Sequence, residues 1–333
     1  MKNNKKSFIL VIIISALVLY FVLKDDFAEK IHYLFSFNPI WLLIAFIAII
    51  IYWLLKGLVL YHCIKQVDEK YTKKQGIYLM VTTQFFHAIT PFASGGQPWQ
   101  IYKLKKDGLN LGSSTNAIIE DFIVYQIALV LLGVIAVISN HIFHIIPNDN
   151  ALRYLVTIGF AINIVVIVAL FLVAFSKKWN KKIIDGIIKL LYKLKIVKDK
   201  EKQLKKSEKF VTNFHESALI LFKNKRVFIR VIILNFIALL VQYSIPFFLM
   251  LGLNIYVNPY FVIVTCAYVM LIDSLIPTPG STGGLEVGFM SFFKHFIKGP
   301  KLSIIMIVWR IVTYYFGIIV GGIALNINEE AIK

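Results

Sequence analysis

Thr90-Pro91-Phe92-Ala93-Ser94-Gly95-Gly96 and Thr278-Pro279-Gly280-Ser281-Thr282-Gly283-Gly284 lie 188 positions apart, and four of their seven positions are identical. Ser94 faces Thr282, so a fifth position keeps its hydroxyl. Each stretch interrupts a long apolar segment. Proline removes a backbone donor and stops a helix, and paired glycines let the chain turn and let another backbone or a ligand approach. Inside a bilayer such broken backbone survives only where protein buries it or a watery cavity flanks it. Breaks at matching places in two halves of one chain point to a transporter-type site near the membrane midplane.

The rest of the chain agrees with a membrane setting. Of its 333 residues 58% are hydrophobic and 16% charged, and the mean hydropathy is +0.74. A water-soluble domain of this composition would expose large apolar patches. The apolar windows fall near 8–23, 39–64, 77–92, 117–139, 152–175, 227–251, 256–276, 285–297 and 302–325, several close to the ~20 residues a spanning helix needs. They are continuous rather than alternating, which excludes a β-barrel. The expected fold is an all-α polytopic membrane protein of about six full transmembrane helices and two broken re-entrant hairpins. Segment 8–23 ends at Lys24-Asp25-Asp26 with no small-residue cleavage site, so it reads as a retained first helix.

Lysines suggest orientation. Lys2, Lys5 and Lys6 place the N-terminus in the cytoplasm, and two crossings return the chain there at Lys65, Lys70, Lys73 and Lys74. Lys103, Lys105 and Lys106 favour the same side, so the apolar stretch between them, 77–101, reads as a hairpin turning at 91–96. The loop 140–151 carries no Lys or Arg, as an outer loop should, and the chain returns through 152–175. Segment 227–251 crosses outward to an uncharged loop, and 256–297 then reads as a second hairpin, dipping in from outside. Hairpins of opposite orientation make an inverted repeat with the C-terminus in the cytoplasm; Lys294, Lys298 and Lys301, external on this reading, weigh mildly against it, and the alternative has 256–276 spanning fully and the C-terminus outside. The chain divides into a first half, 1–176, a basic linker, 177–226, and a second half, 227–333. The linker's 177–210 stretch holds thirteen lysines against four acids; its first half is amphipathic, and Lys177–Lys209 are expected on anionic headgroups.

Charge at membrane depth marks candidate chemistry. Asp273 and Glu286 bracket the second break, Arg310 lies in the last helix, and Glu120 and Asp121 begin segment 117–139. Structural pairing and the handling of a charged group both remain open for the first three, and surface exposure for the pair. Lys56 and Arg153 read most simply as cations snorkelling to an interface. Half-helices starting after Gly96 and Gly284 would present free N–H groups suited to phosphate, with hydroxyls from Thr90, Ser94, Thr278, Ser281 and Thr282, the neighbouring Gly95, Gln97 and Gly283, and Gln100 a turn further on. Trp99 and Tyr102 suit headgroup stacking or interfacial anchoring equally. His87 reads as a packed histidine. Cys63 and Cys266 read as small buried residues, and His141 with His144 has no third metal ligand in sequence. There is no P-loop, nucleophile elbow or HExxH, so neither an ATP-driven pump nor any cofactor is expected. The basic charge, +18, sits in membrane-flanking loops and does not signal nucleic acid.

Phe92 through Pro98 and Ile276 through Glu286, above all Gly95-Gly96-Gln97-Pro98 and Pro279 through Glu286, resemble the transmembrane region of lysylphosphatidylglycerol synthases, which also occurs alone in flippase-like bacterial and archaeal proteins. The resemblance implies a cell-membrane protein that moves aminoacylated phosphatidylglycerol or a related phospholipid between leaflets, an activity tied to resistance against cationic antimicrobial peptides. The family label implies phosphatidylglycerol lysyltransferase. Lysyl transfer from lysyl-tRNA, however, belongs to a soluble domain for which the eight residues after the last apolar segment leave no room. A membrane-embedded transferase, or a partner subunit of a separate synthase, stands as the alternative, and a homo-oligomer stays open.

Overall fold

A computed structural model describes residues 27–146, 150–176, 223–273 and 275–327, with isolated positions between 178 and 192. The first apolar segment and the expected lipid-contacting lysines Lys177–Lys209 fall outside the described residues or among those isolated positions. The described elements are α1 (Phe27–Phe35), α2 (Pro39–Ile64), α3 (Lys73–Ala88), α4 (Gly96–Lys106), α5 (Leu111–Phe143), α6 (Asn150–Phe175), α7 (Lys225–Tyr243), α8 (Ile245–Gly252), α9 (Pro259–Asp273), α10 (Gly284–Phe293), α11 (Pro300–Arg310) and α12 (Phe316–Ala324). Among them, Pro39–Ile64, Leu111–Phe143, Asn150–Leu172, Lys225–Gly252 and Pro300–Ala324 are long and apolar enough to cross a membrane. The chain is an all-α, multi-pass membrane protein.

Two of those spans carry interruptions that hydropathy hides. Pro246, at the second position of α8, cannot continue the ladder of α7, and the chain steps over at Ser244. A single π-turn, Ile311–Tyr315, separates α11 from α12 directly after Arg310, the kind of bulge that gathers at functional sites.

The two hairpins are α3–α4 and α9–α10. Their ends fall near those expected, 73–106 against 77–101 and 259–293 against 256–297. In the first, Trp99 stacks on Phe86 with centroids 4.4 Å apart, and its indole N–H donates to Thr82 Oγ1 at 3.1 Å. In the second, Tyr268 stacks on Phe292 at 6.0 Å, and a Cβ on Gly288 would lie 2.6 Å from Ile272. These pairings make the arms of each hairpin antiparallel.

Shifted by 188 positions, α2 falls on 227–252, against 225–252 for α7–α8; the first hairpin falls on 261–294, against 259–293 for the second; and the start of α5 falls on 299, where α11 begins at Pro300. The equivalent spans run in opposite directions. Asn38 N–H donates to Gly252 O at 2.9 Å, Lys56 Nζ to Asn235 Oδ1 at 2.7 Å, and Asn224 Nδ2 to Gln66 Oε1 at 3.3 Å. One hairpin therefore enters from the 64/224 end of the bundle and the other from the 38/252 end, as an inverted repeat requires. Beyond that repeat, α6 packs against α5 and α9.

The α2–α3 contact depends on Gly57 and Gly76. A Cβ on Gly76 would lie 2.6 Å from Gly57 O, and one on Gly57 2.6 Å from Ile77 Cα. Small residues let membrane helices approach closely enough for dispersion to hold them without a hydrophobic driving force.

Candidate functional site

The hairpin tips meet in the bundle, where Pro91 and Pro279 form an antiparallel bridge. The two tips share one backbone design. Phe92 and Ala93 have φ of 53° and 51°, and their counterparts Gly280 and Ser281 have 58° and 54°. Ser94 N–H donates to Pro91 O at 3.1 Å, as Thr282 N–H does to Pro279 O at 3.3 Å. The hydroxyls repeat the same bond, Ser94 Oγ to Pro91 O and Thr282 Oγ1 to Pro279 O, each at 2.8 Å. Two successive positive φ values closed by an i to i+3 bond are the mark of a tight primed turn. The seven-residue repeat thus encodes a repeated turn.

The side chains around the tips are not repeated. In the second break, Arg310 spans the loop: its Nη2 donates to Gly280 O at 2.9 Å and to Thr282 Oγ1 at 3.2 Å, and its guanidinium lies 4.3 Å from the Tyr314 ring centroid. Arg310 Nε sits 2.8 Å from Glu286 Oε1, an ion contact without hydrogen-bond alignment. Glu286 Oε2 in turn accepts from Gly283 N–H at 2.7 Å, capping α10. Tyr314 donates to Ala88 O at 3.0 Å, tying this assembly to the first hairpin. Thr278 Oγ1 donates to Thr282 O at 2.7 Å. Thr278, Thr282, Gly283, Glu286 and Arg310 are engaged in holding the turn, and Gly284 sits against Ile276.

The first break is held by fewer bonds. Thr90 Oγ1 donates to Phe86 O at 2.7 Å and accepts from Gly95 N–H at 2.8 Å. His87 Nδ1 bonds Ala93 O across the break, and its ring lies where a Cβ on Gly96 would fall, 2.2 Å away. The expectation of a packed, hydrogen-bonded His87 holds. Trp99 faces its own hairpin arm rather than open space.

Beside the tips lies a cavity of ≈ 500 Å³. Its wall brings Ser94, Gln97, Gln100, Asp121, Asp273 and Ser281 together, all singled out in the sequence, and adds Gln84, Gln126, Asn163 and Gln242, which were not, and Lys56, which was expected at an interface. A smaller one, ≈ 140 Å³, is lined by Gly280, Arg310, Thr313 and Tyr314. Gln84, His87, Ala93, Gln242, Met270, Asp273 and Ser281 line both, so the two cavities adjoin.

Lys56 differs from its snorkelling expectation. It is 5% exposed, 3.5 Å from Asp121 Oδ1 and 2.7 Å from Asn235 Oδ1, and 5.0 Å from the Tyr125 ring centroid. It is too far from either helix end for its ammonium to reach an interface, and partners from α5 and α7 meet it instead. Glu120, also buried, is not among the side chains lining either cavity; adjacent helical residues point about 100° apart, and Asp121 takes the inward direction. Asp273 ends α9 with Ser281 beside it, whose hydroxyl donates to the Asp273 carbonyl at 3.4 Å. Gln97 and Gln100, one helical turn apart, and the single glutamines Gln84 and Gln126 within apolar segments were a legible signal of a wet interior, because apolar spans bury amides only against partners or water.

The fold and site together define a class: polytopic α-helical membrane proteins with inverted, broken hairpins meeting at a polar cavity. The chain belongs to the family described as the lysylphosphatidylglycerol synthase TM region, whose model matches residues 8–321. It is similar to a protein of Archaeoglobus fulgidus described as a UPF0104 membrane protein, 24% identical over 298 residues, covering 87% of each chain.

Proposed function

We propose that this protein moves a phospholipid, (aminoacyl-)phosphatidylglycerol or a related lipid, between the leaflets of the cell membrane. The observation that supports this most is the meeting of two oppositely inserted hairpins at Pro91 and Pro279, with two adjoining cavities that share Gln84, His87, Gln242, Asp273 and Ser281 in their walls. Rocking of one repeat against the other would open the cavities in turn, the usual logic of inverted repeats. The family's description, a synthase of lysylphosphatidylglycerol, supports a phosphatidylglycerol-related cargo. Asp273, unlike Glu286, faces the cavity rather than a helix cap, which makes it the carboxylate suited to a cationic headgroup. The lysine-rich end, with Lys65, Lys70, Lys73, Lys74, Lys105 and Lys106, faces the cytoplasm on this reading.

Leaflet exchange of fluorescent phosphatidylglycerol and of its lysyl ester in proteoliposomes tests it. Exchange above that of empty liposomes, reduced by Asp273→Asn for the lysyl ester, is expected. Exchange equal to empty liposomes for every headgroup refutes the proposal, and lipid product formed from aminoacyl-tRNA points to the transferase instead.

A further inference from the structure

The two half-helix N-termini at the tips are unequal. That of α10 already holds a carboxylate: Glu286 caps Gly283 N–H and is itself paired with Arg310. An anion arriving there would meet like charge. That of α4 has no side-chain cap. Thr90 takes the Gly95 N–H, Pro98 has none to offer, and Gly96 and Gln97 begin the helix with the first-turn donors that an α-helix leaves without an internal acceptor.

A second observation is independent of the helix end. Gln100, one turn further along α4, is 4% exposed and lines the ≈ 500 Å³ cavity. Its amide meets no protein group among the described residues, whereas the neighbouring Trp99 is bonded to Thr82. The amide is therefore left to whatever occupies the cavity. Gln97 and Ser94 line the same cavity, as do Lys56, whose ammonium lies 3.5 Å from Asp121, and the carboxylates of Asp121 and Asp273. This combination of helix dipole, amide donors and ammonium suits a phosphodiester.

The cavity also has an apolar margin. Phe92 projects from the tip with 56% of its surface exposed, and Ile162 and Val166 bring the apolar face of α6 to the same cavity. Polar donors beside an apolar margin match a lipid with its head inside and its chains outside, rather than a free anion.

We propose that the end of α4, with Gln97, Gln100 and Lys56, is a seat for the phosphodiester of a two-chain phospholipid, that the second hairpin offers no equivalent seat, and that the acyl chains leave between Phe92 and α6. The choice of a lipid as occupant rests on the lipid-moving reading; the test uses equilibrium binding and needs no transport.

The full chain in detergent is titrated with phosphatidylglycerol, with water-soluble glycerophosphoglycerol and with inorganic phosphate, and the bound species are counted by native mass spectrometry. One phosphatidylglycerol per chain is expected to bind much more tightly than either soluble probe. A Gln97→Leu/Gln100→Leu double variant should weaken both glycerol-phosphate probes about tenfold, a loss of ~1.4 kcal/mol. Val166→Trp should weaken phosphatidylglycerol alone. Melting curves like that of the parent protein establish that each variant is folded. Phosphatidylglycerol binding unchanged by both variants, equal affinity for inorganic phosphate, or no binding of any probe overturns the seat. Intact binding without leaflet exchange refutes the transport reading and leaves the seat standing; exchange that ignores the double variant does the reverse.

Discussion

At the scale of the residue, the tips combine equal backbones with unequal side chains. Phe92 and Gly280 occupy the same left-handed conformation, but only Gly280 is pressed by a neighbour: a Cβ there would lie 2.0 Å from the Tyr314 ring. Gly280→Ala is therefore expected to destabilise the protein by about 1–3 kcal/mol, the range for overpacking, read as a lower midpoint of thermal unfolding in detergent. Phe92→Gly should do the opposite, relieving roughly 1 kcal/mol of left-handed strain, so a lower midpoint would show that Phe92 packs rather than strains. Arg310→Ala removes the cation from a buried carboxylate and should cost ~3–5 kcal/mol; Arg310→Lys should recover only part, because Lys lacks the planar fork. The sequence showed that these turns exist, since the Thr-Pro and Gly-Gly pairs state the backbone requirement locally. It did not separate the roles of Asp273 and Glu286, two acids flanking one break. Glu286 has its capping partner three residues away, a local signal, whereas its pairing with Arg310 and the cavity-facing placement of Asp273 depend on how distant helices pack.

At the scale of the element, hydropathy found the spans but not their interruptions. The Ser244–Pro246 step and the π-turn after Arg310 lie within continuous apolar runs, and neither changes the mean that a window detects. The proline was readable as a possible break; the π-turn carries no such residue. Lys56 was misread for a related reason. Its partners Asp121 and Asn235 are 65 and 179 positions away, so its burial follows from the antiparallel packing of α2 on α7 and not from its own segment. The Gly57–Gly76 crossing yields an element-scale prediction. Gly76→Ala places a Cβ 2.6 Å from Gly57 O and should separate α2 from α3, costing about 1–3 kcal/mol. Gly322→Ala, whose Cβ would find Phe85 at an ordinary 3.6 Å, should leave the melting midpoint unchanged or slightly raised. Equal gains in both variants would mean that helix propensity, not close approach, governs these positions.

At the scale of the whole molecule, the repeat of 188 positions preserves direction-dependent geometry while the chemistry differs. Spans, hairpins and primed turns recur with opposite orientation, yet Lys56, Asp121, Asp273 and Arg310 each appear once. On the proposed reading, symmetry of backbone would give two ways of opening and asymmetry of charge one preferred seat. The lysine pattern suggested this inversion before the packing was known, because a hairpin returning to its own side is what reconciles two basic loops with one apolar stretch between them. Side-selective labelling tests that inversion directly. Cys63 and Cys266 are both buried, so a membrane-impermeant maleimide should find little background. Asn254→Cys and Lys298→Cys lie at the two mouths of the second hairpin and should both react on intact cells. Lys70→Cys, exposed beside the start of the first hairpin, should react only after permeabilisation. If all three react together, the hairpins enter from one face and the inverted packing is refuted. If the pattern is exchanged, with Lys70→Cys alone reacting on intact cells, the inversion stands but the lysine-rich end is external. The α4 seat, which sits on the hairpin entering from that end, would then first receive lipid from the outer leaflet.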